Sequence, residues 1–133
     1  IGITKDEDTI MADKHMVFVY GTLKRGFGNN RLLSGQKFIG KARTEGKFAL
    51  YEAGIPFVIE DEAVTRISGE VYEVDEKTLS RLDRLEGHPN WYCRKMVNVS
   101  IISEGNDKVG GTCCAWLYFF PKRQGQLVKP GVF

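Results

Sequence analysis

The residue best placed to do chemistry in this chain is a glutamate on the wrong face of a helix. Residues 75–87, DEKTLSRLDRLEG, read as one amphipathic helix. With Leu79 at zero and about 100° per residue, Leu82 falls at about 300°, Leu85 at about 240° and Glu86 at about 340°. Glu86 therefore lies between Leu79 and Leu82 on the apolar face, and Asp83, at about 40°, borders it. Arg81 and Arg84 point the other way, where a solvated face belongs. Glu86 also occupies the last turn, whose partial negative charge disfavours an anion. Burial and dipole both raise a carboxyl pKa, the condition under which a glutamate works as a general base near neutrality. The competing reading is an ion pair with a buried or rim arginine such as Arg94. Periodicity alone leaves both open.

The second stretch with chemical potential is VFVYGTLKRGFGNN, residues 17–30, where four strand-forming residues run into a loop with glycines at 21, 26 and 28. A Walker phosphate loop needs GxxxxGK followed by Ser or Thr. Here Gly21 and Gly26 have the spacing of its two glycines, but Phe27 and Gly28 stand where the Lys and the Ser or Thr are needed. GxGxxG fails as well, because Gly26 and Gly28 lead only to Arg31. VFVYGTL and KRGFGNN look like the two RNA-contacting motifs of an RRM. In that fold, however, the motifs lie on separate strands, and here they are contiguous, with Asn29 and Asn30 in place of the second strand's apolar residues. What remains is a nest of backbone N–H groups at a strand end, suited to a small anionic group, or a plain turn. Lys24 and Arg25 either draw in an anionic substrate or are solvated loop charges.

Composition narrows the classes further. The chain has 133 residues, one domain's worth, with 19 basic against 17 acidic residues. That balance gives no basic patch for a nucleic acid. No stretch approaches the ~20 apolar residues of a membrane span. Cys93, Cys113 and Cys114 are an odd number with two adjacent, which argues against a disulfide framework and for a reducing compartment. His15 and His88 show no metal-ligand spacing. A cytosolic monomer with no metal, no nucleic acid and no membrane partner is expected.

The elements that must position Glu86 and the loop are mostly strands. Runs at 16–20, about 37–50, 55–60, 66–74, 91–102 and 111–120 have strand character, and SEGNDKVGG reads as a hairpin connection between the last two. Asp75 is a good N-cap, Glu76 suits the helix start and Gly87 fits its stop. Residues 1–15 are polar and aperiodic, expected to be a disordered tail ahead of a domain at 16–133, and the final PKRQGQLVKPGVF is expected to be irregular. Many strands and one main helix make an α+β fold, a curled sheet or barrel with a helix against it.

Four motifs occur in register: YGTLK (20–24) after a VFV strand, GEVYEVD (69–75), LDRLEG (82–87) and YCR (92–94). Together they resemble the γ-glutamylcyclotransferase-like, or AIG2-like, family, most closely its γ-glutamylamine cyclotransferase branch. The resemblance spans roughly residues 16–120. It implies a small mixed β-barrel with flanking helices and an intramolecular cyclisation. In that reaction the α-amine of a γ-glutamyl group attacks its own γ-carbonyl, giving 5-oxoproline and a free amine with no cofactor.

By this resemblance Glu86 matches the catalytic general acid/base, and the loop of Tyr20, Gly21, Thr22 and Leu23 holds the glutamyl moiety, gripping its α-carboxylate. Tyr92 and Arg94 match the family's YxR. Tyr92 joins the expected substrate-binding set, and Arg94 is read as a structural partner of an acid such as Asp83. Tyr118 either lines the pocket or is an ordinary interior tyrosine. Family members act on γ-glutamyl-α-amino acids, glutathione or γ-glutamyl-ε-lysine, and the TLKRG loop looks more like the lysine-releasing branch. A non-catalytic binding protein on the same scaffold is the alternative.

Overall fold

A computed structural model describes residues 14–102 and 109–133. The elements run β1 (Lys14–Val19), a 3-10 helix (Gly28–Leu33), β2 (Lys37–Glu52), β3 (Pro56–Ile59), β4 (Thr65–Asp75), α1 (Glu76–Glu86), β5 (Cys93–Ile102), β6 (Val109–Phe119) and β7 (Gln126–Leu127). No described helix is long and apolar enough to cross a membrane.

The strand pairings close on themselves. β1 pairs with β4, β4 with β2, β2 with β5 and β5 with β6, all antiparallel. β6 then returns to β1 in parallel, Val17 opposite Trp116. β3 pairs antiparallel with the second half of β2 and in parallel with β6. The sixteen-residue β2 serves four neighbours because its register against β4 shifts at Phe38/Gly40 and again at Arg43/Lys47. Such irregularities bend a strand and let it turn a corner. The architecture is a mixed α+β ring of strands with one α-helix on its outside.

Side chains alternate across a strand, and here both faces are covered, which explains the unbroken apolar run of β1. Val17 and Val19 join Leu79 and Leu82 of α1 in one cluster, while Phe18 and Tyr20 join Ile67, Val71, Val99 and Leu117 in a second, drawn from strands and their ends. Tyr92 and Tyr118 belong to the first cluster.

β1 begins two residues inside the segment expected to be a tail, because Lys14 and His15 pair with Asp75 and Val74. Residues 1–13 lie outside the described part, as do 103–108 of the expected hairpin connection. The C-terminal stretch is largely irregular but docked. β7 adds two residues beside Tyr51 and Glu52, and the Ser68 N–H donates to the Gly131 carbonyl at 2.9 Å.

Candidate active site

The helix that carries Glu86 is fixed at both ends. At the start, Asp75 Oδ1 accepts the Thr78 N–H at 2.7 Å, and the Gln36 side chain accepts the Asp75 N–H at 2.9 Å. At the end, Gly87 takes φ 65°, the left-handed conformation that glycine reaches at little cost. The His88 N–H then bonds the Asp83 carbonyl at 2.9 Å and the Gly87 N–H bonds the Arg84 carbonyl at 3.3 Å, a Schellman closure. The Tyr92 N–H donates to the Glu86 carbonyl at 3.0 Å, so the chain leaving the helix is tied back to its last residue.

Leu79 and Leu82 are buried as the periodicity requires, but Leu85 is 45% exposed. Glu86 is partly buried and lines a pocket of about 180 Å³ with Tyr20, Gly21, Thr22, Leu23, Tyr92 and Tyr118. Phe18, Val19, Asn29, Ile55, Pro56 and Leu85 complete the wall. That volume suits the head of a small metabolite rather than a drug-sized ligand. Among the described residues no lysine, arginine or histidine contributes to the lining.

Glu86 has no hydrogen-bond or ion-pair partner among the described residues, and burial pushes its carboxyl up to about 7. The alternative pairing with Arg94 does not occur. Arg94 binds Asp83 instead, Nε to Oδ1 at 2.8 Å and Nη2 to Oδ2 at 3.2 Å, with its guanidinium 4.2 Å from the centre of the Trp116 ring. Tyr118 donates its hydroxyl to the same Asp83 Oδ1 at 2.6 Å. Burial alone would push the Asp83 carboxyl up, but the bonds from Arg94 and Tyr118 and the charge of Arg94 hold it below the usual range. Two acids three residues apart are thus driven in opposite directions.

The phenols of the pocket stay protonated. Burial, with the nearby Glu86 charge, pushes Tyr92 up to about 12. Tyr20 and Tyr118 are also raised, chiefly by burial. Tyr20 donates to the Tyr118 carbonyl at 2.9 Å and Tyr92 to the Pro56 carbonyl at 3.3 Å.

The loop that shares the pocket lining with Glu86 is braced by hydrogen bonds. The Lys24 N–H closes a turn on the Gly21 carbonyl at 3.1 Å, and the Arg25 N–H donates to Glu70 Oε1 at 2.9 Å. Gly21 is required by crowding, since a Cβ there would stand 2.6 Å from Pro56 Cγ. Two asparagines that the sequence did not mark as functional hold the loop from below. Asn29 Nδ2 donates to Thr22 Oγ1 at 2.9 Å, and Asn30 Nδ2 to the Leu23 carbonyl at 2.8 Å. Their only sequence signal is a pair of amide side chains just after a glycine-rich loop. Within the described residues, the backbone N–H groups of Gly21, Thr22 and Leu23 make no hydrogen bond and are free for a ligand.

Lys24 differs from the solvated charge expected of it. It is only 9% exposed, its Nζ donates to the Phe133 carbonyl at 2.7 Å, and burial lowers its pKa. Arg25 stays exposed, but it lies 3.8 Å from the centre of the Phe38 ring and 3.8 Å from Glu70. Neither is part of the pocket wall.

The family model for γ-glutamyl cyclotransferase, AIG2-like, matches residues 17–132. A provisionally named γ-glutamylcyclotransferase of Methanocaldococcus jannaschii is 52% identical over 116 residues, covering 86% of this chain and 92% of that protein. A γ-glutamylaminecyclotransferase of Rattus norvegicus is 36% identical over 112 residues, covering 77% and 75%. The crystal structure of an AIG2-like protein from Mus musculus superposes with a TM-score of 0.71 at 32% identity, covering 80% of this chain and 76% of that one. The chain belongs to the γ-glutamyl cyclotransferase, AIG2-like family.

Proposed function

We propose that this protein is a γ-glutamylamine cyclotransferase, converting a γ-glutamyl amide of a primary alkyl amine, with γ-glutamyl-ε-lysine the favoured case, to 5-oxoproline and the free amine. The observation that carries the reading is Glu86. It is a partly buried carboxyl without a partner, pushed up to about 7, across a small pocket from three free backbone N–H groups. A group poised there takes and returns a proton near neutrality with little driving force either way.

In this reading the N–H groups of Gly21, Thr22 and Leu23 bind the substrate α-carboxylate and fold the glutamyl chain back on itself. Glu86 accepts a proton from the α-ammonium. The freed amine attacks the γ-carbonyl carbon, forming the five-membered ring. Collapse of the tetrahedral intermediate breaks the bond to the departing nitrogen, to which Glu86 returns its proton, and the ring nitrogen gives up its second surplus proton as the departing amine becomes an ammonium. Because nucleophile and electrophile share one molecule, most of the acceleration comes from holding the folded conformer.

The choice of amine rests on the relatives named for it and on the charge of the pocket. A γ-glutamyl-α-amino acid carries a carboxylate on the carbon bonded to the departing nitrogen. Such a carboxylate would sit beside Glu86 in a lining without a cationic side chain. An ε-lysyl amide presents a methylene there instead. The test is mass spectrometry of 5-oxoproline after incubation with γ-glutamyl-ε-lysine, a γ-glutamyl-α-amino acid and glutathione, with Glu86→Gln as control. 5-Oxoproline and lysine from the first substrate only, lost in the control, is the expected result. Thermal stabilisation by these compounds with no product from any of them would replace the enzyme by a binding protein.

A further inference from the structure

Three phenols surround Glu86 and none donates to it. Tyr20 comes from the end of β1, Tyr92 from the segment ahead of β5 and Tyr118 from β6, and all three line the pocket. A carboxylate among phenols ordinarily collects short O–H···O bonds, which stabilise the anion and make it a poor base. Here each hydroxyl is committed elsewhere. Tyr20 and Tyr92 are committed to backbone carbonyls, of Tyr118 and Pro56, whose positions the strands dictate. Tyr118 is different, because its acceptor is a side chain, Asp83 Oδ1, at 2.6 Å.

Asp83 therefore holds a proton donor that lines the same pocket as Glu86, and it is prepared to do so. It lies one turn earlier on α1 and is held in place by the two bonds from Arg94. Arg94 is itself fixed, with its guanidinium over Trp116 and its backbone N–H donated to His88 Nδ1 at 3.2 Å. The titratable and charged groups about Glu86 are then Tyr20, Tyr92 and Tyr118, with Asp83, Arg94 and His88 behind them.

We propose that Asp83 is a positioning residue: by holding the Tyr118 hydroxyl it withholds from Glu86 the one pocket phenol not pinned to the backbone, and so sets the proton affinity of the pocket carboxylate. The arrangement gives the Asp83–Arg94 pair a role beyond bracing the helix end. It rests on the cyclotransferase reading only in taking Glu86 as the proton carrier, and its test reads that carboxyl directly.

The measurement is a pH titration of the Glu86 side-chain carboxyl by 13C NMR, its resonance identified by loss in Glu86→Gln. Asp83→Ala releases the Tyr118 hydroxyl and is expected to lower the titration midpoint by about one pH unit or more. Tyr118→Phe alone leaves the midpoint in place, because that hydroxyl never reached Glu86. Combining the two substitutions restores it. An equal downward shift in Asp83→Ala with and without Tyr118→Phe would trace to the freed Arg94 charge and overturn the proposal, as would no shift at all. Asp83→Asn is the variant for the case in which Asp83→Ala does not fold. Its Oδ1 still faces both Tyr118 and Arg94 Nε, so the midpoint stays near its original value, and a full downward shift there would also overturn the proposal. In an active enzyme the acid limb of kcat/KM moves in the same order. If no substrate is turned over, the cyclotransferase reading fails while the titration still decides the role of Asp83.

Discussion

At the first turn of α1, Asp75 sits where a helix favours an anion, capping the Thr78 N–H, and that bond holds its carboxyl below the usual range. At the last turn, Glu86 sits where a helix disfavours one, half withdrawn from water and without a partner, and burial lifts its carboxyl to about 7. The two ends of one eleven-residue helix thus carry the same functional group for opposite purposes. The first stabilises the helix by being ionised. In the proposed reaction the second works as a proton carrier because its ionisation is costly. A carboxylate's role is written in what surrounds it, and stability given up at one end of the element is offset by good capping at both.

The largest test of this contrast is turnover. Glu86→Gln removes the proton carrier while keeping shape, and kcat is expected to fall by about 10²–10⁴-fold, read by 5-oxoproline release. Asp75→Ala should leave kcat within about twofold, since it touches only the helix start. Comparable losses from both would mean that Glu86 acts through the fold.

The contrast also needs a fixed wall opposite Glu86. Gly21→Ala pushes a methyl toward Pro56 and must displace the loop, so kcat/KM is expected to drop by about 10–100-fold together with a lower melting temperature from the overpacking. Unchanged kinetics would remove the loop N–H groups from substrate binding.

Stability should respond to pH with opposite signs at the two ends. Between about 4.5 and about 7 the folded Glu86 keeps a proton that the unfolded chain has released. The folded state therefore binds more protons in that window, and stability falls as pH rises through it. Glu86→Gln should abolish this slope and stabilise the protein at pH 8 relative to pH 5 by about 1–3 kcal/mol in urea unfolding. Asp75 runs the other way, its contribution present above the unfolded carboxyl pKa and lost as acid titrates the cap. Asp75→Ala should cost about 1 kcal/mol at neutral pH. A Glu86→Gln protein less stable than its parent at pH 8 would show that the carboxylate has a partner after all.

Much of this was readable before folding was considered. The helix, its Asp75 cap and its Gly87 stop follow from local chemistry, because a cap and a left-handed terminus depend on residues a few positions apart. Six strand runs were legible from β-branched and aromatic composition, with ends displaced by a few residues. The placement of Glu86 between Leu79 and Leu82 was a matter of helical period alone. The same helix carries Leu85, which is 45% exposed because it borders the open pocket rather than the packed core that covers Leu79 and Leu82.

What the chain order could not show is who stands next to Glu86. Tyr20, Tyr92 and Tyr118 are far apart in sequence and meet only because β1, β5 and β6 close the ring. Whether Arg94 would pair with Glu86 or with Asp83 was equally open to periodicity, and the bidentate bond to Asp83 decided it. The burial of Lys24 required the final residues to fold back over the loop, a contact across more than a hundred positions. The sequence by itself determined the helix, its caps and the side on which the glutamate emerges, since these rest on interactions within a turn or two. Only the tertiary structure left that glutamate without a counter-ion among the described residues, because partners are assigned by strand pairing between distant segments.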